Sequence, residues 1–261
     1  MNPYTLRTLF LCSALLPPPA LADTPTSLSI GYAEACPHMC PYDENKGFTT
    51  DIAKAVLEMQ GWNVRFVALP WARVVANTNT GQLNAAISTG KNESPLLIYP
   101  TEELATQEDC FYGAAGDMWK PEGAHSFKIR KTIVFSGWVL EAPYREALGD
   151  QLYDSIFEKF SIDKDYHDRS VNLVIRKRMH AFWSDSTVFS YYQSKKTLEQ
   201  TNQIKQLGCV HQQNLYIGFS PAHSKLSNKL AADFDLGMKA IRKSGQLTAI
   251  LKKYGLSDWR K

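Results

Sequence analysis

The chain of 261 residues is 44% hydrophobic and 21% charged, the composition of an ordinary globular protein, which excludes a disordered or fibrous one. Its length allows one large domain or two modest ones, with ample material for a buried core. With 29 Lys and Arg against 26 Asp and Glu, the net charge of +3 is too balanced for a nucleic-acid binder working through a basic face.

Residues 1–22 read as a secretory signal peptide. Arg7 precedes an apolar run from Leu9 to Leu16, and Ala20-Leu21-Ala22 has the small-x-small pattern of a signal-peptidase site. Pro17, Pro18 and Pro19 stop the run well short of a bilayer's thickness. Leu11 stands before Cys12, where a lipid-modified cysteine needs a small residue, so lipidation is not expected. Export puts Cys36, Cys40, Cys110 and Cys209 in an oxidising compartment, where disulfides are the default. Four cysteines allow three pairings, and the close spacing of Cys36 and Cys40 favours Cys36–Cys40 with Cys110–Cys209.

Short β-rich runs then alternate with amphipathic helical ones, the mark of βαβ units in a mainly parallel sheet. Residues 28–32 predict a strand, and the cluster Thr49-Thr50-Asp51 predicts the cap of a helix that carries Ile52, Val56, Leu57 and Met59 and stops at Gly61. A strand over 63–68, a helix over 71–80 closed by Gly81, and a small-residue strand over 85–87 complete β-α-β-α-β, a doubly wound unit. The middle repeats the theme: a strand over 132–135, helices over 144–160 and 171–179, a strand over 180–183, a helix over 186–196 and an extended run over 207–210. A strand over 215–219 leads into two helices, with apolar stripes Leu226, Leu230, Phe234, Met238, Ile241 and Leu247, Ile250, Leu251, Tyr254.

These segments, in order, resemble family 3 periplasmic solute-binding proteins, the receptors of polar amino-acid ABC importers. The matching residues are Ile30-Gly31-Tyr32, Pro41-Tyr42, the run from Gly47-Phe48-Thr49-Thr50-Asp51 to Ala55, Pro70-Trp71, Gly81-Gln82-Leu83-Asn84-Ala85, Leu215 to Ser220, and Gly245-Gln246-Leu247 with Lys253-Tyr254-Gly255-Leu256. The resemblance implies an α/β protein of two doubly wound lobes with a central ligand cleft, the type II periplasmic-binding-protein fold. Lobe 1 is then residues 23–112 plus 215–261, lobe 2 is 113–214, and the crossings lie near Phe111-Tyr112-Gly113 and Leu215-Tyr216-Ile217. It also implies a monomer in the periplasm, amino-acid transport as the role, and a permease or sensor at the inner membrane as partner.

Site residues follow one at a time from that resemblance. Asp185 stands where the family holds the ligand's α-amino group, the alternative being a cap for the next helix. Ser88 and Thr89 stand where the family offers hydroxyls and backbone N–H groups to a carboxylate, and Tyr42 and Trp71 where it places aromatic walls, Trp71 having a core role as its alternative. The family's carboxylate-clamping arginine is missing: Glu93 and Ser94 occupy that stretch, leaving Lys91 and Arg73 as the candidate cations. The tryptophans Trp119, Trp138 and Trp183 suit packing.

No phosphate loop, His-Glu-x-x-His or Gly-x-Ser-x-Gly motif is present, and no catalytic residue, metal or cofactor is expected. The function expected is capture of a small polar, amino-acid-like ligand. The alternative is an enzyme resembling cyclohexadienyl dehydratases on the same fold, with Glu93 as general acid. A metal or redox carrier built on Cys36-Pro37-His38-Met39-Cys40 ranks third.

Overall fold

The computed structural model describes residues 27–260, so the signal-peptide expectation for residues 1–22 lies outside the described residues. The elements are β1 (Ser27–Tyr32), α1 (Phe48–Met59), β2 (Asn63–Ala68), α2 (Trp71–Asn79), β3 (Ala85–Thr89), β4 (Ala105–Ala114), β5 (Thr132–Phe135), α3 (Glu141–Leu148), α4 (Asp150–Ile156), β6 (Phe157–Phe160), α5 (Tyr166–Ile175), β7 (Ala181–Asp185), α6 (Ser186–Ser194), α7 (Leu198–Thr201), β8 (Ile204–Phe219), α8 (Ser224–Ser244) and α9 (Gln246–Lys253). Short 3-10 turns cover Ala124–Phe127 and Pro221–His223.

One sheet runs in the order β2-β1-β3-β8-β4-β7-β5-β6. Its two halves repeat a pattern. In one, β1 pairs in parallel with β2 and β3, and β3 pairs antiparallel with β8. In the other, β5 pairs in parallel with β6 and β7, and β7 pairs antiparallel with β4. The long strands β4 and β8 pair antiparallel from Ala105↔Leu215 to Ala114↔Ile204 and join the halves.

The apolar residues sort accordingly. Ile30, Ile52, Val56, Ile87, Leu104, Ala105, Leu215, Ile217, Phe234 and Leu251 share one cluster. Phe111, Trp138, Tyr144 and Trp183 belong to a second, and Cys110, Tyr112, Phe182 and Phe189 to a third. Along β4 the chain therefore leaves the first core after Ala105 and enters the others at Cys110. Between them Thr106-Gln107-Glu108-Asp109 faces His211-Gln212-Gln213-Asn214 across the ladder, held by backbone pairing rather than by an apolar core.

Three expectations need correcting. The helix over 144–160 is two helices and a strand: Gly149, at φ 78°, adopts a conformation that L side chains rarely take, breaks the stripe, and residues 157–160 pair with β5. The runs over 207–210 and 215–219 are parts of the single strand β8. Thr49-Thr50-Asp51 does not cap α1; Gly47 does, without a side-chain bond, and both threonines lie buried inside the first turn. Gly47 has φ 104°, and a Cβ there would stand 2.2 Å from the His38 carbonyl oxygen, so glycine is what lets the preceding loop fold onto the helix start.

Both expected disulfides are present. Cys110 and Cys209 are ladder partners on β4 and β8, and Cys36–Cys40 closes a loop that also contains a cis Cys36–Pro37 bond. No helix among the described residues is long and apolar enough to cross a membrane.

Candidate functional site

Asp185 ends β7 and caps α6. Its Oδ1 accepts from the Val188 N–H at 2.9 Å, and its Oδ2 accepts from the Glu108 N–H of β4 at 3.0 Å. A helix start beyond a strand's C-terminal end supplies free N–H groups and a favourable field, so a carboxylate settles there at low cost. Asp185 is 4% exposed and meets a third partner: His38 Nε2 lies 3.2 Å from Oδ1. A carboxylate oxygen that already takes a backbone N–H accepts rather than donates, so the ring proton of this contact is assigned to Nε2.

His38 comes from the other half of the sheet. Its carbonyl accepts from Thr49 Oγ1 at 2.7 Å and Thr49 N at 3.2 Å, and its ring sits 4.7 Å from that of Phe48. Ser88 Oγ donates to Thr49 Oγ1 at 3.0 Å, so the end of β3, the start of α1 and the disulfide loop form one polar chain leading to Asp185. Ser88 holds φ 59°, the left-handed region, at the end of its strand. Thr89 is fully buried and donates to the Tyr216 carbonyl at 3.3 Å.

The structure thus brings Ser88 and Asp185 to the same junction through Thr49 and His38. The remaining sequence-predicted residues make no hydrogen bond to this polar chain among the described residues. Tyr42 is 78% exposed, Arg73 is exposed, and Trp71 is half-buried against Val74, Ala86 and Leu97. Lys91 is exposed with its ammonium 4.1 Å from the Tyr216 ring centre.

A second polar group lies on the ribbon that joins the halves. Asp109 is fully buried; Gln107 Nε2 donates to its Oδ1 at 2.7 Å and His211 Nδ1 is 3.4 Å from its Oδ2. Burial pushes its carboxyl up to about 6, with the Glu93 and Asp185 carboxylates adding to the rise against the opposing effects of Gln107 and His211. Burial likewise raises Glu93, whose Oε1 accepts from Gln213 Nε2 at 2.8 Å and whose Oε2 accepts from Gly90 N at 3.4 Å. Asp109 opposes both Asp185 on β7 and His211 on β8, so these groups share one level of the sheet.

Sequence reasoning missed His38, Thr49, Asp109 and His211 as members of this region. His38 was visible only as a soft ligand within a cysteine loop, and both thiols of that loop are engaged in the disulfide. A cavity of about 60 Å³ lined by Phe48, Ala105, Thr106, Thr187, Leu251 and Trp259 lies beside the junction. A larger one of about 280 Å³, lined by Asp168, Asn172, Tyr192, Lys196 and Gln203 among others, lies on the outer side of α5 and α6, and none of His38, Ser88 and Asp185 lines it.

No family model matches the chain, and no curated protein matches it. Solved structures do. A substrate-binding protein of an ABC uptake transporter from Streptococcus pneumoniae with bound histidine has a TM-score of 0.71 at 14% identity, over 90% of this chain and 95% of that one. A histidine kinase sensor domain similar to periplasmic binding proteins has a TM-score of 0.70 at 15% identity, over 90% and 100%. An ancestral amino-acid-binding protein described as a precursor of cyclohexadienyl dehydratase has a TM-score of 0.64 at 18% identity, over 87% and 94%. The chain therefore has the fold of the periplasmic binding proteins, as the sequence resemblance implied. That one fold serves importers, a sensor and the forerunner of an enzyme, so the function has to be argued from the site.

Proposed function

We propose that this protein is a periplasmic receptor that captures a small polar, amino-acid-like ligand between two lobes, with Asp185 holding the ligand's cationic group. The observation that carries this reading is the setting of Asp185: a buried carboxylate, oriented by the Val188 and Glu108 N–H groups, at the place where residues from both halves of the sheet meet. Ser88 and Thr89 supply the facing hydroxyls and backbone N–H groups. The resemblance draws lobe 1 as residues 23–112 plus 215–261 and lobe 2 as 113–214; the packing of Cys110 to Tyr112 with the second half supports moving the outgoing crossover to 106–109 instead. Closure of the lobes excludes water and strengthens each polar contact. Residues 1–22 direct export, and an inner-membrane permease or sensor reads the closed state of a monomer.

The test is a thermal-shift screen of the purified protein against the proteinogenic amino acids, putrescine, histamine, betaine and simple carboxylates, since a ligand that favours the folded state raises Tm. A shift by an amino acid or amine, lost in Asp185→Asn, with the compound recovered unchanged, is the expected result. No shift across the panel would contradict it.

A second reading is favoured by one observation: burial raises the Glu93 carboxyl, as a general acid requires. Consumption of a panel compound, abolished in Glu93→Gln, would replace the receptor by an enzyme.

A further inference from the structure

The junction carries a contact that a simple receptor site does not need. His38 and Asp185 are 147 residues apart, belong to different halves of the sheet, and are 3% and 4% exposed, yet the imidazole is hydrogen-bonded to the same Oδ1 that caps α6. Each partner is fixed from its own side. The loop that carries His38 is closed by the Cys36–Cys40 disulfide and by reciprocal Ala35 and Met39 backbone bonds of 2.9 and 3.0 Å. It is docked on α1 through Phe48 N to Pro37 O at 2.9 Å and by Thr49 to the His38 carbonyl. Asp185 is fixed by Val188 and Glu108. The same loop makes a second, exposed contact with the far half, Lys195 Nζ to Asp43 Oδ2 at 3.5 Å.

Neither residue lines the nearby 60 Å³ cavity, and both are almost wholly buried and in direct contact, so no open space separates them. In this conformation the junction is filled by the protein's own side chain. An imidazole N–H presented to Asp185 is also a chemical likeness of a ligand's N–H cation.

We propose that His38 is an internal occupant of the ligand site: its imidazole latches the two lobes in the unliganded protein, and a cationic ligand enters by displacing it from Asp185. This inference rests on the receptor reading and adds to it a competitor carried in cis. A ligand that must displace His38 binds with an apparent affinity reduced by the fraction of molecules in which the latch is open. The disulfide loop is then the device that sets this fraction, because it determines how firmly His38 is presented.

The experiment is small-angle X-ray scattering of the unliganded protein, wild type against His38→Ala, with and without millimolar imidazole. The expected result is a larger radius of gyration in H38A, returned towards the wild-type value by imidazole, which leaves wild type unchanged. Asp185→Ser keeps a capping hydroxyl for α6 but withdraws the oxygen from His38, and so reads the same contact from the other side should H38A misfold; it is expected to expand as H38A does. The double variant is expected to expand no further than either single one, as partners in one contact do. Identical scattering of wild type, H38A and D185S would overturn the latch. The scattering needs no ligand, so that outcome leaves the receptor reading standing, whereas an empty ligand screen with an intact latch contradicts only the receptor.

Discussion

The two disulfides tie two very different regions: one reinforces a long ladder, the other shapes a short loop. Cys110–Cys209 spans 99 positions of sequence and joins strands already paired along a long ladder, with Cys110 packed among Tyr112, Phe182 and Phe189. Cys36–Cys40 spans four positions and closes a loop whose own backbone bonds are few, and its product is the placement of one imidazole. The long-range bridge reinforces the β4–β8 ribbon that joins the two halves of the sheet. The local one shapes a segment that sequence order alone would leave open.

The sharpest way to break that contrast is to remove each bridge in turn. Loop-closure entropy makes the long one worth about 4–5 kcal/mol and the short one about 2 kcal/mol. Cys110→Ser with Cys209→Ser is therefore expected to give the largest loss of stability in urea unfolding. Asp185→Ala comes next, at about 2–4 kcal/mol, because it removes a helix cap and the acceptor of the Glu108 N–H and leaves the His38 ring buried without its partner. Cys36→Ser with Cys40→Ser follows, at about 2 kcal/mol. If the short bridge proved as costly as the long one, the division between the two regions would fail.

Smaller effects come from pH. Burial raises Asp109 to about 6, so the stability it contributes is complete below its unfolded value of about 4 and is lost as pH rises through 6. Burial lowers His167 to about 4, so its contribution runs the other way: it is present above about 6.5 and lost as pH falls towards 4. The two oppose each other between about pH 4 and 6.5. Asp109→Asn is expected to steepen the acid-side fall in Tm, and His167→Gln to flatten it; the reverse pair of outcomes would show that neither group titrates as its surroundings dictate. Smallest of all, Ser88→Ala removes one hydroxyl bond to Thr49 and is expected to cost about 0.5–1.5 kcal/mol.

Much of the fold was legible because its elements carry their own signals. The strand over 63–68 and the strand over 132–135 match the structure residue for residue, since β-branched and aromatic residues there sit between clear breaks. The ribbon of β4 and β8 was not, and the reason is physical. Thr106 to Asp109 and His211 to Asn214 are polar because they lie between two cores, and only their pairing with each other makes them strands. The helix expected over 144–160 runs straight across Gly149, where the chain breaks, and the β5 edge then recruits Phe157–Phe160. At the site, Asp185 was readable because capping is local: its Oδ1 accepts from the N–H of Val188, three residues on, at the end of its own strand. His38 was not, because its partner lies 147 residues away and nothing in Cys36-Pro37-His38-Met39-Cys40 names it.

The central claim is that Asp185 holds a ligand's cationic group, and calorimetric titration tests it most directly. The panel compound with the largest thermal shift is titrated into wild type and Asp185→Asn, with the compound recovered afterwards. The account predicts one site per chain and a loss of roughly thirtyfold or more in D185N, the size of removing a buried charged acceptor. Equal affinity in the two proteins would contradict it.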